Sequence, residues 1–505
     1  MVKDDAQIEF LGNLEERFAE VKEVKEIADK LTKAGFEAFL VGGCLRDLLM
    51  DKDPKDWDIA TNAKPEEIQK VFPESVYENQ FGTVAVKTEA EDPAKKIVEV
   101  TTYRLEGKYT DKRHPDEVKF AQTIDEDLSR RDFTVNAIAF EVTTHKRRAE
   151  GLVDPFYGLE DLKNRVIRAV GNPNERFQED ALRLMRAVRF AAQLDFTIES
   201  ETAEAVKKNA GLLEFIAKER IRDELEKIIM TPNAAEGIKM LQESGLLRYV
   251  LPELQEGVGV GQNKHHIYEV FEHSVRSLDY AARKDFPFHV RLAALLHDVG
   301  KPRTKSGEGP DSTFYSHQVV GERMVVEALD RLHFPKRFIE QVALLVREHM
   351  FVYDPETVTL AGVRRLLRRT GKENIDDLFM VREADRIGSG VPKAQPYRLR
   401  HLRAMIEKVQ QDPVHPKMLK VKGDAVMEIL KIEPGPKVGK VLSILLDEVL
   451  DNPELNKGDH LMRRVRELGE LSDKELDKLA LQAKEKAAAA QERIDAEIKK
   501  KYFVK

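Results

Sequence analysis

The chain has very little of the features that mark exported or membrane proteins. It has one cysteine, Cys44, among its 505 residues, so an internal disulfide is impossible and a reducing cytoplasm is the expected compartment. No segment approaches eighteen uninterrupted apolar residues, and the first ten residues have no apolar core behind a basic start. We therefore expect neither export nor membrane insertion.

An excess of positive charge is also missing. The chain has 90 acidic residues against 83 lysines and arginines, which gives a formal net charge of −7. This balance argues against a protein that coats nucleic acid, although an RNA substrate needs only a local basic face. Apolar residues make up 42% of the chain, and at this length they predict several cores and therefore several domains.

The segment from residue 39 to residue 63 combines two chemical patterns. The first is an apolar run, Phe39–Val41, which is typical of a buried strand and breaks at Gly42 and Gly43 into a short predicted helix over residues 44–50. Glycines at such a turn allow backbone amide groups to approach an anion. This pattern predicts a phosphate-binding turn.

The second pattern is a pair of aspartates. Asp56 and Asp58 lie two apart in a predicted strand over residues 55–61, so both carboxylates point to one face. Two adjacent carboxylates repel each other unless a cation lies between them, and hard oxygen ligands favour Mg²⁺. An Asp-x-Asp pair alone is equally typical of an exposed acidic strand, so its context decides its meaning.

Together, the glycine turn and the aspartate pair resemble the active-site signature of the nucleotidyltransferase superfamily, in the class that contains bacterial CCA-adding enzymes and poly(A) polymerases. The resemblance implies that Asp56 and Asp58 are catalytic and hold two Mg²⁺ ions. One ion would lower the pKa of an RNA 3′ hydroxyl, and the other would neutralise charge on a nucleoside triphosphate. Gly42, Gly43 and Arg46 would bind the nucleotide.

Two later segments extend this resemblance. Glu99 lies among valines in a predicted strand over residues 96–104, where it forms either an ion pair at the sheet edge or a third catalytic carboxylate. The family places an acidic residue in this strand, which favours the second role. The charged segment 106–120 predicts a mobile loop. CCA-adding enzymes use a flexible loop here for the final adenylate, which argues against an enzyme that adds only the cytidylates.

The segment 129–140 concentrates polar groups around an apolar filler. Arginines are natural partners of a triphosphate, and Asn or Asp can hold a ribose hydroxyl. A surface charge cluster is the alternative. The near-complete match of RRDFTVNA to the family implies nucleotide contacts instead. The residues concerned are Arg130, Arg131, Asp132 and Asn136.

A helix is predicted over residues 177–194, with Glu179, Asp180, Arg183 and Arg186 on its polar side. One interpretation is that these residues only form salt bridges on the helix surface. The resemblance to an EDxxR motif implies instead that Asp180 and Arg183 pair with the edge of the incoming base, with Arg186 also at the nucleotide. A carboxylate accepts from the amine of cytosine or adenine, whereas uracil and guanine present a carbonyl there. A second predicted helix at 219–229 would support this one.

Histidines concentrate further along the chain, with eight of the thirteen between residues 265 and 349. Any one of them could be a core or solvated histidine. As a set they resemble an HD-type metal phosphohydrolase, whose metal activates water for attack on a phosphoester. The implied ligands of a divalent metal of unknown identity are His273, His297, Asp298 and Asp385, with His297 and Asp298 adjacent on a helix. Lys301, His317 and His349 could hold phosphate or a second metal.

The C-terminal part carries weaker signals. Residues 361–370 form a basic amphipathic stretch that is either a solvated helix face or an RNA contact. The region 423–456 resembles the closing module of bacterial CCA-adding enzymes, a plausible support for the tRNA elbow. A capping box at Ser472 and Glu475 begins the last helix, for which a solvated tail is the expectation.

These patterns predict an α+β protein in four parts. They are an α/β nucleotidyltransferase head with a small mixed sheet (1–150), a helical base-recognition neck (151–256), an HD domain (257–390) and a helical tRNA-binding body (391–505). The implied function is addition of CCA, or its terminal A, to tRNA 3′ ends from CTP and ATP, with HD-dependent repair of RNA ends, including hydrolysis of 2′,3′-cyclic phosphates. The alternatives are a poly(A) polymerase and a phosphohydrolase with an RNA-binding head.

Overall fold

The computed structural model describes Arg17 and residues 21–77, 82–106, 118–142, 151–263, 267–410 and 419–504. Within these residues one mixed sheet lies near the N-terminus, and helices form most of the later part of the chain. The predicted α+β class is therefore confirmed. The predicted mobile loop at 106–120 falls mostly outside the described residues, as do His265 and His266.

The described residues form eleven short strands, seven of which make up the main sheet. In chain order the strands are β1 (Phe39–Val41), β2 (Asp58–Thr61), β3 (Val76–Tyr77), β4 (Thr83–Lys87), β5 (Ile97–Thr102), β6 (Arg104–Glu106), β7 (Val118–Phe120), β8 (Ala139–Glu141), β9 (Leu152–Val153), β10 (Val166–Ile167) and β11 (Thr197–Ile198). The main sheet has the order β3-β4-β5-β2-β1-β8-β9, with β2 and β5 parallel. The predicted strand at 55–61 is shorter than expected, because Asp56 and Trp57 precede β2.

Helices surround the sheet and continue beyond it. Up to residue 255 they are α1 (Lys22–Lys33), α2 (Gly42–Leu49), α3 (Pro65–Val71), α4 (Ile124–Ser129), α5 (Gly158–Asn164), α6 (Pro173–Glu179), α7 (Arg183–Leu194), α8 (Ser200–Asn209), α9 (Lys218–Ile229), α10 (Ala234–Glu243), α11 (Leu247–Val250) and α12 (Pro252–Gln255). The apolar spacing of α1 buries Val24, Ile27 and Leu31 completely or nearly so.

The later helices carry the histidine-rich segment and the C-terminal part. They are α13 (Val270–Arg283), α14 (Phe288–Leu296), α15 (Lys301–Thr304), α16 (His317–Arg331), α17 (Lys336–Glu348), α18 (Leu360–Thr370), α19 (Ile375–Gly388), α20 (Tyr397–Gln410), α21 (Gly423–Leu430), α22 (Pro436–Asp451), α23 (Gly458–Gly469) and α24 (Asp473–Tyr502). Among the described residues, no helix combines the length and apolarity that a membrane crossing requires.

The chain forms two compact units. The first comprises Met1–His349 and Asp377–Val391, and the second comprises Met350–Asp376 and Pro392–Lys505. The chain therefore leaves the first unit after His349 and returns to it at Asp377. This route could not be read from the sequence, and the four-part division at residues 150, 256 and 390 stays a prediction.

The last helix, α24, packs along the second unit and is not a solvated tail. It contacts α22 and α20, and it buries Leu476, Ala480, Ala483 and Ile498. Lys501 on α24 forms an ion pair with Glu407 on α20 at 2.8 Å. The expectation of a free tail was therefore wrong, although the capping box at Ser472 is present.

Candidate functional site

The sheet brings three carboxylates together beside the glycine turn. β2 and β5 pair with Asp58 directly opposite Glu99, and Asp56 lies just before β2. Gly42 has a φ of +72°, which glycine adopts without strain. A Cβ atom on Gly42 would lie 3.4 Å from Asp58 Oδ2, and one on Gly43 would lie 4.0 Å from Asp56 Oδ1. The first turn of α2 therefore faces the carboxylates with bare backbone.

The electrostatics of these carboxylates suit a divalent cation. Burial and the negative charge of Glu99 raise the pKa of Asp58 to about 7, although Arg131 lowers it, and Asp56 adds to the rise. Neighbouring carboxylates that repel one another bind a cation that neutralises them. Because all the donors are hard oxygen atoms, Mg²⁺ fits this set.

A hydrogen-bond network joins the head to the neck. Arg46 Nη1 donates to Asn136 Oδ1 at 2.8 Å, and Asn136 Nδ2 donates to Asp132 Oδ1 at 3.3 Å. Arg186 Nε, on α7, donates to Asp132 Oδ2 at 2.7 Å. Burial alone would raise the pKa of Asp132, but Arg186 and Arg183 lower it to about 2. Asp132 is therefore a permanently charged link between two parts of the first unit.

The predicted single helix at 177–194 is interrupted. Helix α6 ends at Glu179 and α7 begins at Arg183, with Asp180 in an extended conformation between them. The Asp180 carboxylate accepts from the backbone amide of Leu182 at 3.0 Å. Such a local side-chain contact competes with helical hydrogen bonding, which explains the break. An uninterrupted helix was therefore the wrong prediction here.

Neighbouring groups hold both residues of the predicted base-recognition pair. Arg220, on α9, donates to both oxygens of Asp180 at 3.3 and 2.9 Å. Arg183 Nη1 donates to Glu179 Oε2 at 2.7 Å, and its Nη2 donates to the carbonyl of Arg130 at 3.1 Å. Each side chain is thereby fixed in one orientation.

One cleft of about 970 Å³ collects the head and neck residues. Every predicted member lines it: Gly42, Gly43, Arg46, Asp56, Asp58, Glu99, Arg130, Arg131, Asp132, Asn136, Asp180, Arg183 and Arg186. The sequence prediction missed several further lining residues, namely Arg104, Arg189, Gln193, Arg220 and Lys227. No spacing pattern pointed to them, although Arg220 lies in the helix that was expected to support the neck.

A second cluster combines residues of the histidine-rich segment with Asp385 and is buried throughout. His273 Nε2 lies 2.9 Å from His297 Nε2, 3.2 Å from Asp298 Oδ2 and 3.3 Å from Asp385 Oδ1. α14 ends at Leu296 and His297 is its C-cap residue in a helical conformation, so the predicted placement on a helix was too long by one to two residues. The structure thus gathers the four predicted ligands.

Asp298 also belongs to a second group of possible metal ligands. Asp298 Oδ1 lies 3.3 Å from His317 Nε2 and 3.7 Å from His349 Nε2. The possible ligand atoms of His273, His297 and Asp298 lie within 4.8 Å of one another, and so do those of Asp298, His317 and His349. Lys301 Nζ lies 2.6 Å from Asp298 Oδ2. One shared aspartate can therefore serve two neighbouring positions.

The orientation of the imidazoles suits metal binding. The Nδ1 atoms of His297, His317 and His349 each lie 2.7–2.8 Å from the backbone carbonyl three residues earlier. A carbonyl partner fixes the proton on Nδ1 and leaves Nε2 free as a ligand. Burial would lower the pKa of His297, but Asp298 and Asp385 raise it to about 10. Positive charge is therefore favoured at this position, and a divalent metal would supply it.

Comparison with known proteins agrees with this geometry. Residues 38–168 match the Poly A polymerase head domain, residues 195–257 the probable RNA and SrmB-binding site of polymerase A, and residues 265–389 the HD domain. The chain is 39% identical over 346 residues to the A-adding tRNA nucleotidyltransferase of Deinococcus radiodurans, covering 66% of this chain and 76% of that one. It is 33% identical to the CCA-adding enzyme of Lactococcus lactis subsp. lactis, covering 91% of this chain and 99% of that one.

The chain belongs to the family of CCA-adding enzymes and A-adding tRNA nucleotidyltransferases. It is a nucleotidyltransferase, as its sequence predicts, and it carries an HD domain. Among solved structures, the CCA-adding enzyme of Bacillus stearothermophilus in complex with CTP is 28% identical, with a TM-score of 0.56. That match covers 88% of this nucleotidyltransferase and 96% of the other chain.

Proposed function

We propose that this nucleotidyltransferase adds CCA, or its terminal A, to the 3′ end of tRNA from CTP and ATP without a nucleic-acid template. The observation that supports this most strongly is the single cleft in which Asp56, Asp58 and Glu99 share one space with Asp180 and Arg183. A catalytic group and a base-recognition group in one cleft allow the protein itself to choose the nucleotide. The names of its relatives agree with that choice.

Asp56, Asp58 and Glu99 would hold Mg²⁺, which supplies positive charge to the triphosphate and acidifies a coordinated hydroxyl when bound. The backbone of Gly42 and Gly43 leaves room for phosphate oxygens beside these carboxylates. The remaining head and neck contacts are assigned to holding the nucleotide. Arg46 and Arg131 would face the phosphates, and Asp132 and Asn136 would face the ribose. Arg186 donates to Asp132 and keeps it ionised.

Base choice is assigned to Asp180 and Arg183. The Asp180 carboxylate would accept a hydrogen bond from the exocyclic amine of cytosine or adenine, while Arg183 would donate one to the neighbouring ring nitrogen. Uracil and guanine present a carbonyl to the carboxylate, which leaves two acceptors facing each other. Arg220 and Glu179 hold the pair ready before any nucleotide arrives.

Extension assays on defined tRNA ends test this proposal. Purified protein is incubated with tRNA that lacks CCA and with tRNA that ends in CC, each with CTP, ATP or both. We expect ATP to extend the CC end by one nucleotide, and growth of the bare end with both nucleotides indicates full CCA addition. Asp58→Asn removes the extension while the protein stays folded. Long adenylate tails would instead identify a poly(A) polymerase.

We further propose that the HD domain is a metal-dependent phosphohydrolase that acts on phosphates at RNA ends, including 2′,3′-cyclic phosphates. The two ligand groups that share Asp298 support this proposal. His273, His297, Asp298 and Asp385 would hold the divalent metal, which would supply an activated water for attack on phosphorus when bound. The variant with both His297→Ala and Asp298→Ala should lose hydrolysis of a 2′,3′-cyclic phosphate and keep nucleotide addition. Undiminished hydrolysis by that variant would contradict the proposal.

The predicted domains and compartment are consistent with this function and remain proposals. We infer a head to residue 150, a neck to residue 256, an HD domain to residue 390 and a tRNA-binding body beyond it. We infer a cytoplasmic enzyme, because the single cysteine is a free thiol in the described structure.

A further inference from the structure

Three helices that carry HD ligand candidates also meet at a second polar contact. Each residue of this contact precedes a candidate ligand by eight positions in the same helix or its last turn. Eight helical residues span about 12 Å along the axis. The pairs are His289 and His297 at α14, Gln341 and His349 at α17, and Asp377 and Asp385 on α19.

The contact converges on one carboxylate oxygen. His289 Nε2 lies 2.7 Å from Asp377 Oδ2, and Gln341 Nε2 donates to the same oxygen at 3.4 Å. The side chains of His289 and Asp377 are 20% and 17% exposed. The same eight-residue separation connects the Asp377 contact to the ligand cluster in all three helices. The three helices therefore run in the same direction, and α19 is held at two positions along its axis.

Helix α19 depends on such an anchor more than its neighbours do. The chain leaves the first unit after His349, passes through the second unit, and returns at Asp377. Asp385 is the one member of the candidate ligand set on this returning segment. The position of the Asp385 carboxylate therefore depends on how α19 packs against the rest of the first unit.

The packing of α19 combines apolar contacts with directional polar ones. Ala384 packs with Ala281 of α13 and Ala294 of α14. A Cβ atom on Gly388 would lie only 2.2 Å from Ser277 Oγ, so α19 and α13 approach closely there. Leu378, Phe379 and Val381 are also buried, and Tyr280 of α13 donates to Glu383 Oε2 at 3.4 Å. The Asp377 contact adds a directional restraint near the N-terminal end of α19, eight residues before Asp385.

We propose that Asp377, held by His289 and Gln341, is a positioning residue that sets the height of α19 and thereby places Asp385 in the HD metal site. The inference depends on the proposed metal-binding function of the HD domain. Four buried groups fit a divalent metal, because His273 Nε2 lies within 3.3 Å of a polar atom of His297, Asp298 and Asp385. Asp377 does not touch the metal position and acts through its helix.

Cobalt binding to the full-length chain tests the inference. Co²⁺ is titrated by calorimetry and by visible absorption, and the binding that His297→Ala abolishes is assigned to the HD site. Asp377→Ala should weaken this binding about tenfold, as is typical when a group that orients a ligand is lost. The cobalt absorption spectrum should also change, because Asp385 no longer holds its place.

The neighbouring residue offers a matched control. Asp376 lies on the same helix, is 74% exposed and pairs with Arg403 in the second unit at 3.8 Å. Asp376→Ala makes the same change of charge and should leave cobalt binding unaltered. Nucleotide addition by the head should be unchanged in both variants, which shows that the chain is folded.

Conservative variants distinguish positioning from a general loss of stability. Asp377→Asn keeps an acceptor for His289 and should bind Co²⁺ more tightly than Asp377→Ala does. If Asp377→Ala does not fold, His289→Ala and His289→Gln provide the same comparison. Equal binding by Asp377→Ala and Asp376→Ala would overturn the inference and leave the HD function intact. Equal binding by the unmodified chain and His297→Ala would overturn both.

Discussion

Asp132 shows how one residue couples the head to the neck. Because Arg186 and Arg183 lower its pKa from an ordinary 3.8 to about 2 against the effect of burial, the ionised carboxylate stabilises the folded chain fully above pH 3.8. This stabilisation is lost as the pH falls through about 2. Asp132→Asn should therefore lower the free energy of unfolding by about 2 kcal/mol at pH 7.

The difference between Asp132→Asn and the unmodified chain should shrink to roughly half at pH 3. Urea unfolding can be followed by the fluorescence of Trp57, the single tryptophan, which lies buried beside the cleft. Glu91→Gln, an exposed head position, is the control and should unfold like the unmodified chain at both pH values. A gap that stays constant with pH would contradict the assignment.

Cys44 should be chemically silent in the folded protein. Its side chain is fully buried, Sγ lies 3.1 Å from the carbonyl of Val41, and burial raises the pKa of the thiol to about 12. Since the thiolate is the reactive form, iodoacetamide at pH 8 should modify the folded chain hardly at all. Mass spectrometry should show one added group after unfolding in urea. Rapid modification without urea would show that the α2 turn opens.

Arg220 should affect which nucleotide is accepted. Its guanidinium binds both oxygens of Asp180, so Arg220→Ala frees the carboxylate to turn away from the incoming base. We expect the ratio of kcat/KM for CTP to that for UTP to fall about tenfold, the equivalent of one charged hydrogen bond. Arg222→Ala, on the same helix but bonded to His333, should keep the ratio. An unchanged ratio in Arg220→Ala would exclude this role.

At the residue scale, prediction from sequence reached the members of short motifs. Asp56, Asp58, Asp180 and Arg183 stand within a few residues of their motif partners, so the resemblance of these short motifs to the family predicted them. Arg220 was missed because forty positions separate it from Asp180. Only folding brings such residues together, and one sequence does not record that proximity.

At the scale of elements, apolar periodicity found most helices but could not detect a local break. The apolar spacing runs on through Asp180, because Phe177 and Leu184 are both buried, so one helix was expected where α6 and α7 stand. The same limit applies to α24, whose Ala-rich sequence resembles a solvated helix. Its partners α20 and α22 are distant in sequence, and they decide its burial.

Helix α18 presents its arginines on one exposed face. Arg364, Arg365, Arg368 and Arg369 are exposed, while Val363, Leu366 and Leu367 are buried. If this face meets RNA phosphates, changing Arg365 and Arg368 to Glu should weaken tRNA binding. It should also reduce the slope of log affinity against log salt by about 2.

The matched control for α18 lies in the same compact unit. Lys474 and Lys478 on α24 are exposed, and changing both to Glu alters the net charge by the same amount. Filter binding of tRNA at several salt concentrations measures both variants. Equal loss in the two would indicate a general charge effect and would leave α18 as a solvated face.

At the scale of the whole molecule, the order of motifs along the chain predicted the order of functions. A head motif, a neck motif and an HD motif come one after another in the sequence, and the family matches have the same order. The order could not reveal that the chain departs from the first compact unit and comes back. The division into compact units depends on packing between segments that are distant in sequence, so only the structure shows it.

This return has a practical consequence for anyone who dissects the protein. A protease cut anywhere in residues 350–376 separates Asp385 from the polypeptide that carries His273, His297 and Asp298. A fragment truncated there retains the whole polymerising cleft but has an incomplete set of metal donors. Shortened versions of this enzyme would therefore lack both a complete set of HD metal donors and the proposed tRNA-binding body.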